Sequence, residues 1–331
     1  AGPTGHRLLS LPLHRAIEQT LEARGQIILF LNRRGFAPSL LCEACGKVVE
    51  CPSCAVALTL HRHGRARLSC HYCDHAVPLM ERCPGCGSGR LSEEGAGTER
   101  IEQALSEAFP AGRIARLDRD VAAGAKSEKV LDRMRRREID ILVGTQMVTK
   151  GHDLPDVTLV GVLNADAALA MPDFRAAERA FHLLVQVAGR AGRGDVPGKV
   201  LIQTWQPEHP AVALAAHHDV ERFVVRELED RRELGYPPYR RMALVRVDSA
   251  DEARARDAAE RLAQIARKSA GPRVDVLGPA PAPLPRLRNR YRFRFMVRSA
   301  ERALMRPVLL AVARTAVDRA VRVVIDIDPV N

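Results

Sequence analysis

DILVGTQMVTKGHDLPDVTLVGVL, Asp140 to Leu163, is two apolar runs around a polar segment bracketed by glycines. DILV and the run from Val157 to Leu163 lack the polar alternation of a half-solvated sheet. They read as strands buried on both faces, the habit of parallel sheets. Between them GTQMVTKGHD, Gly144 to Asp153, begins where the first strand ends. Glycine there exposes backbone amides and permits close approach of a phosphate. Upstream, QIILFL (Gln26–Leu31) is a third apolar strand and Arg113–Leu117 a fourth; downstream lies Lys199–Thr204. Helical periodicity occupies TERIEQALSEA (98–108, with Thr98 as N-cap) and the stretches near 126–137 and 173–188. Strands alternating with helices predict a doubly wound α/β sheet.

Between the strand at 26–31 and the helix at 98 stand all eight cysteines, within 45 residues: Cys42/Cys45, Cys51/Cys54, Cys70/Cys73 and Cys83/Cys86. Each Cys-x-x-Cys knuckle presents two thiolates, and two knuckles complete a four-sulfur zinc site. Eight thiols satisfy two structural zinc ions with none left over. Four disulfides would suit a short secreted chain, and no signal peptide is read here. Redox-active Cys-x-x-Cys motifs rarely come in fours. The knuckles allow sequential, interleaved or nested pairing. Fifteen residues, Ala55 to Ser69, separate the middle two knuckles and suit a zinc ribbon, which favours nesting. An interleaved cross-brace fits the spacing almost as well. His61, His63, His71 and His75 are read as surface residues or supports, because sulfur already completes the ligand sets. A closed four-sulfur site has no open position, so these zincs carry no catalysis.

Beyond Pro210 a charged helix (218–234) stops at Gly235 before Pro237-Pro238. Then come a strand (242–247), a helix (251–268), a strand (274–277), a Pro-rich loop (278–285), a strand (291–297), a helix (300–316) and a last strand (321–327). This β-α-β-β-α-β order predicts a split-βαβ, ferredoxin-like domain. Residues 286–298, RLRNRYRFRFMVR, would put Arg290, Arg292 and Arg294 on one face and Tyr291, Phe293 and Phe295 on the other. The arginine face is either a solvated sheet face or a surface for nucleic acid or an acidic peptide. The reading divides the chain into a discontinuous α/β lobe (1–41 and 87–210), a zinc insertion (42–86), a helical connector (211–240) and a C-terminal α+β domain (241–331).

Lys and Arg outnumber Asp and Glu by 51 to 40, a net charge of +11. That balance suits a polyanion, DNA or RNA before a membrane surface. Only six of the basic residues are Lys, so an Arg-rich coding bias also contributes. No run of 18 apolar residues spans a membrane. Aromatic residues make up 4%, too few for a broad base-stacking surface as the main device.

QVAGRAGR, Gln186 to Arg193, lies about 40 residues after GTQMVTKGHD. Arg190 and Arg193, three apart with small neighbours, have the character of arginine fingers for a γ-phosphate. Either segment alone is an ordinary turn or helix end; together in one α/β lobe they are specific. They resemble motifs V and VI of superfamily 2 helicases. FLNRRGFAP (Phe30–Pro38), the four knuckles, GTERIEQAL, the segment from Gly144 to Val160, DFRAAER (Asp173–Arg179) and the terminal DIDP resemble the primosomal protein N′ (PriA) family of replication-restart helicases. The resemblance runs from about residue 8 to the end.

This resemblance implies a second RecA-like helicase lobe, an inserted zinc module and a small C-terminal domain. It implies nested zinc pairing, Cys42, Cys45, Cys83 and Cys86 around one ion and Cys51, Cys54, Cys70 and Cys73 around the other. Arg190 and Arg193 take the finger positions, Gln186 lies beside the nucleotide, and Gly151 and Asp153 lie near the phosphates. Thr145, Lys150, Arg33 and Arg34 are candidates for contacts to the DNA backbone, which position a protein without reading sequence. The implied partners are forked DNA, the acidic tail of the single-stranded DNA-binding protein, primosome proteins and the replicative helicase. The implied setting is a cytoplasmic, nucleoid-associated monomer that unwinds 3′ to 5′.

These 331 residues contain no G-x-x-x-x-G-K-[ST] loop and no DExH-type strand end. ATP and Mg²⁺ therefore enter only with a first helicase lobe, and the chain alone is expected to be inactive as an ATPase. The rival expectations are a non-catalytic fork-binding scaffold for primosome assembly and an unrelated zinc-ribbon RNA-binding module.

Overall fold

The computed structural model describes residues 8–31, 39–62, 66–93, 98–117, 125–145, 154–189, 191 and 197–329. Helix α1 (Leu11–Glu22) leads into β1 (Gln26–Phe30), whose five residues are all buried. Five short strands of the cysteine-rich region follow: β2 (Leu40–Cys42), β3 (Thr59–His61), β4 (Arg67–Ser69), β5 (Ala76–Pro78) and β6 (Leu91–Glu93). The lobe then resumes with α2 (Thr98–Ala108), β7 (Ile114–Leu117), α3 (Ala125–Arg135), β8 (Ile141–Gly144) and β9 (Val157–Val162). After these come α4 (Asp166–Leu169), α5 (Ala176–Ala188), β10 (Lys199–Ile202), α6 (Pro210–Ala216) and α7 (Val220–Leu234).

Five parallel strands form one sheet in the order β10-β9-β1-β8-β7. Alternation along β1 explains why both faces need cover. Ile27 and Leu29 point into a core with Leu13, Ile17, Ile101 and Leu105 of α1 and α2. Ile28 and Phe30 point into the opposite core with Leu131 of α3 and Phe181 and Leu184 of α5. This is the doubly wound lobe expected. Gly161 in β9 is required by packing, because a Cβ there would lie 2.7 Å from Leu29 and 2.9 Å from Leu13. The helix expected at 173–188 begins three residues later, since Asp173–Arg175 form a turn at its head. Asp219 caps α7 by accepting the Arg222 amide at 3.1 Å, and Gly235 ends it in the left-handed region at φ +64°.

The C-terminal domain follows the split-βαβ order: β11 (Arg241–Ser249), α8 (Glu252–Ser269), β12 (Val274–Leu287), β13 (Arg290–Ser299), α9 (Arg302–Arg314) and β14 (Arg322–Ile327). Its antiparallel sheet runs β12-β13-β11-β14. Two expectations are corrected. The Pro-rich stretch 278–285 is no loop but the continuation of β12, with register shifts after Leu277 and Pro281. Proline is tolerated because β12 is an edge strand, where missing donors face no partner. Its hairpin to β13 turns on Arg288 and Asn289, both at positive φ, the two-residue turn that suits strand twist.

The second correction concerns the arginine face. Phe295 packs against α8 and α9 as expected. Arg294, on the other face, is not displayed to solvent: its Nε donates to the His71 carbonyl at 3.1 Å and its guanidinium lies 5.3 Å from the Tyr72 ring centroid. Arg290 is held by Asp248 and by the carbonyls of Asp248 and Ala320. The sheet face, read as either a solvated face or a surface for nucleic acid or an acidic peptide, is instead largely the seat of the cysteine-rich module. Among the described residues no helix is long and apolar enough to cross a membrane.

Phe295 is 1% exposed, so Phe295→Ala should destabilise the C-terminal domain by about 3–5 kcal/mol. Denaturant unfolding followed by circular dichroism checks this. A shift as small as that of an exposed substitution such as Leu310→Ala would contradict the assigned core.

Candidate metal centre and strand-end site

The four knuckles share one backbone device. In each, the first cysteine's N–H donates to the carbonyl five residues on: Cys42 to Lys47, Cys51 to Val56, Cys70 to His75 and Cys83 to Ser88, at 2.8–3.0 Å. Its carbonyl accepts from the residue four on: Gly46, Ala55, Asp74 and Gly87, at 2.8–3.0 Å. That fourth residue always has positive φ, between +46° and +74°. Two knuckles supply glycine, which enters this region freely, and one supplies aspartate, which tolerates it. Amides also turn toward sulfur: Gly85 N–H lies 3.3 Å from Cys83 Sγ and Tyr72 N–H 3.4 Å from Cys70 Sγ.

The knuckles assemble in pairs. Cys42, Cys45, Cys83 and Cys86 bring their sulfurs within 4.8 Å of one another, and so do Cys51, Cys54, Cys70 and Cys73. This nested arrangement excludes the interleaved and sequential ones. Sulfurs 2.3 Å from one tetrahedral ion are about 3.8 Å apart, a consequence of bond length alone. Cys42–Cys86, Cys45–Cys83 and Cys51–Cys73 measure 3.6, 3.7 and 3.6 Å, so both clusters fit zinc and neither has disulfide spacing. The chain holds two structural zinc ions. In the inner cluster the Cys54 thiol's hydrogen bond and the amides of Cys73 and Tyr72 draw Cys70 down to about 5 against the effect of burial. The same hydrogen bond raises the Cys54 thiol, and the thiolate is the form of each that binds metal.

Among the described residues, no histidine of the module joins either cluster. His71 is buried and directs Nδ1 at the Pro281 carbonyl, 2.6 Å away. A carbonyl only accepts, so Nδ1 carries the proton. Burial, with Arg294 and His61 nearby, lowers its pKa to about 3 and keeps the ring neutral. His63 lies outside the described residues.

The inner cluster is also a joint. Cys51, Cys54 and Cys70 share a core with Val56, Leu58, Leu68 and Tyr72, and with Tyr236, Met242, Leu244 and Met296 beyond the module. Tyr236 Oη donates to the Cys54 carbonyl at 2.7 Å, and its ring stacks on Phe174 at 4.7 Å and 9°. The Phe174 amide donates to Tyr72 Oη at 3.3 Å. Arg175 donates to the Pro329 carbonyl at 2.8 Å, and Glu178 holds Arg231 at 2.5 Å. The DFRAAER segment thus ties lobe, zinc module, connector helix and terminal DIDP together. The segment's own residues do not reveal this role, because its partners are more than 50 residues away. The one signal was an aromatic beside alternating charges at a helix start.

At the carboxyl edge of the parallel sheet, Leu31 N–H donates to the Gly144 carbonyl and Leu163 N–H to the Phe30 carbonyl, both at 2.9 Å. The segments after β1, β8 and β9 therefore leave from neighbouring points of one edge. Thr145 stands there, buried, with its amide 3.4 Å from the Leu117 carbonyl. Gln186 is exposed near the end of α5. Arg33, Arg34, Lys150, Gly151, Asp153, Arg190 and Arg193 lie outside the described residues.

Because the clusters share no ligand, Cys42→Ser and Cys51→Ser should each lower bound zinc from two equivalents to one, read by metal analysis. Stripping both ions with a chelator under reducing conditions should unfold the module and open 42–86 to proteolysis. A chelated chain that keeps its protease resistance would contradict the structural role.

Three family models match the chain: Primosomal protein N C-terminal domain over residues 232–330, Helicase conserved C-terminal domain over 96–195, and PriA DNA helicase Cys-rich region domain over 51–78. Replication restart protein PriA of Bacillus subtilis (strain 168) is 41% identical over 328 residues, 97% of this chain and 40% of its own length. The protein of that name from Treponema pallidum (strain Nichols) is 42% identical over 98% of this chain and 49% of its own. That from Haemophilus influenzae (strain ATCC 51907 / DSM 11121 / KW20 / Rd) is 37% identical over 97% and 44%. The chain spans 40 to 49% of the length of these relatives. With two four-thiolate clusters in the Cys-rich region, a parallel-sheet helicase lobe and the matched C-terminal domain, the chain belongs to the PriA family of replication restart proteins.

Proposed function

We propose that this chain serves replication restart as the second lobe, zinc module and C-terminal domain of an ATP-dependent 3′-5′ DNA helicase. The observation that carries the reading is the shared strand edge. FLNRRGFAP follows β1 and GTQMVTKGHD follows β8, and the two strands are adjacent and parallel. Ligands of open parallel sheets bind outside the carboxyl ends of the strands. In this reading Arg190 and Arg193 reach the γ-phosphate of an ATP held by a first lobe, and Gln186, Gly151 and Asp153 line the nucleotide. Arg33, Arg34, Thr145 and Lys150 meet the DNA backbone. Magnesium and the phosphate cradle come from the first lobe, which supplies the hydrolytic chemistry. The domain division at 41/42, 86/87, 210/211 and 240/241 belongs to this proposal.

The partners proposed are forked DNA bound without regard to sequence, the acidic tail of the single-stranded DNA-binding protein, primosome proteins and the replicative helicase. The setting proposed is cytoplasmic and nucleoid-associated, with the protein a monomer. Phosphate contacts by arginine and lysine predict an affinity for forks that falls steeply with salt.

In the complete gene product, Arg190→Ala should lower fork-stimulated ATP hydrolysis by about 10³-fold or more while fork affinity stays within about twofold. Equal loss of binding and hydrolysis would contradict the finger role. A complete product that binds forks and hydrolyses no ATP would make the protein a restart scaffold and overturn the motor reading.

A further inference from the structure

Trp205 is the single tryptophan of the chain, and it is 51% exposed. Large indole rings are mostly buried in folded proteins, so a displayed one asks for a partner. This ring does not hang from a loose loop. The buried Asp166 carboxylate accepts the Thr204 hydroxyl at 2.9 Å and the Trp205 amide at 3.0 Å. Thr204 Oγ1 accepts the Gln206 amide at 3.0 Å. From the other side the outer zinc knuckle presses on the same turn, where a Cβ on Gly46 would stand 2.5 Å from the Trp205 carbonyl oxygen. The backbone beneath the ring is locked, so little order is lost when something stacks upon it.

The turn's position indicates what that partner is. Trp205 lies just past the carboxyl end of β10, which pairs with β9, and β9 pairs with β1. Three strand spacings, roughly 15 Å, separate β10 from β8. Trp205 therefore closes the same edge from which the segments bearing Arg33, Arg34 and Lys150 depart. Exposed Lys47 and Glu208, on either side of the knuckle contact, offset each other in charge. The ring itself, not local charge, is what the turn offers. We propose that Trp205 is a stacking platform for a base of single-stranded DNA running along the carboxyl edge of the sheet toward the outer zinc knuckle. This site rests on the DNA-binding reading above and adds a contact that depends on an unpaired base.

Because Trp205 is the sole tryptophan, intrinsic fluorescence reports this site without a label. Titration of the 331-residue chain with oligothymidylate should quench the emission saturably. In parallel, anisotropy of a dye-labelled oligothymidylate should show Trp205→Ala weakening binding by about 5- to 150-fold, the worth of one base–aromatic stack. Trp205→Phe should retain most of the affinity, and both variants should keep two equivalents of zinc. Oligonucleotide binding that leaves the emission unmoved, or Trp205→Ala binding like the parent, would overturn the platform while leaving the DNA reading intact. Quenching by fully paired duplex alone, or by a protein partner alone, would also overturn it. Absence of binding to any DNA would defeat the DNA reading itself, and the platform with it.

Discussion

Sulfur-to-zinc coordination is the interaction on which the rest of this structure depends. Among the described residues the five strands of the cysteine-rich region are only three residues long, too short to sustain a fold by pairing alone. Four knuckles of one backbone design place eight thiols at tetrahedral spacing, and the metal bonds supply what the small core does not. The inner cluster is more than a staple. Its cysteines contribute to a core shared with β11 and β13, so the zinc module and the C-terminal sheet fold against each other.

That shared core decides how the chain presents its other surfaces. Arg294 would be a solvent-facing cation on an isolated sheet. Here burial pulls its pKa below the usual arginine value, while the His71 carbonyl and the Tyr72 ring supply its partners. The joint around Phe174 and Tyr236 extends the same packing to the lobe. Helix α5 begins beside this joint and runs 13 residues, about 20 Å, toward the glycine-arginine segment at its far end. The outer cluster braces the turn that displays Trp205, so each zinc supports a different contact between module and lobe.

Much of this was legible in the sequence, and for definite reasons. Continuous apolar runs such as QIILFL mark strands buried on both faces, because any polar residue there would lack a partner. Eight cysteines in four identical knuckles leave little choice but two four-sulfur sites. Gly235 announced the end of α7, since a left-handed cap favours glycine. The order of strands and helices after Pro237-Pro238 was enough to name a split-βαβ domain. All of these are local rules, in which period, spacing or backbone freedom acts within a few residues.

What the tertiary structure alone decided were relations between distant residues. Spacing left nested and interleaved knuckles nearly equal, and the assembled sulfurs separate them. Proline argued for a loop at 278–285, yet an edge position in the sheet lets the same residues continue as β12. The alternation of 286–298 was read correctly as two faces, but no local signal could show that Arg294's face would be covered. Nor could sequence show that Asp173–Arg175 would meet Tyr72, Tyr236 and Pro329, or that Trp205 would stand at the strand edge. The sequence by itself determined which elements form and which metal the cysteines take, because those depend on near neighbours. Only the folded chain decided which faces remain exposed, because exposure is set by whatever packs from elsewhere in the molecule.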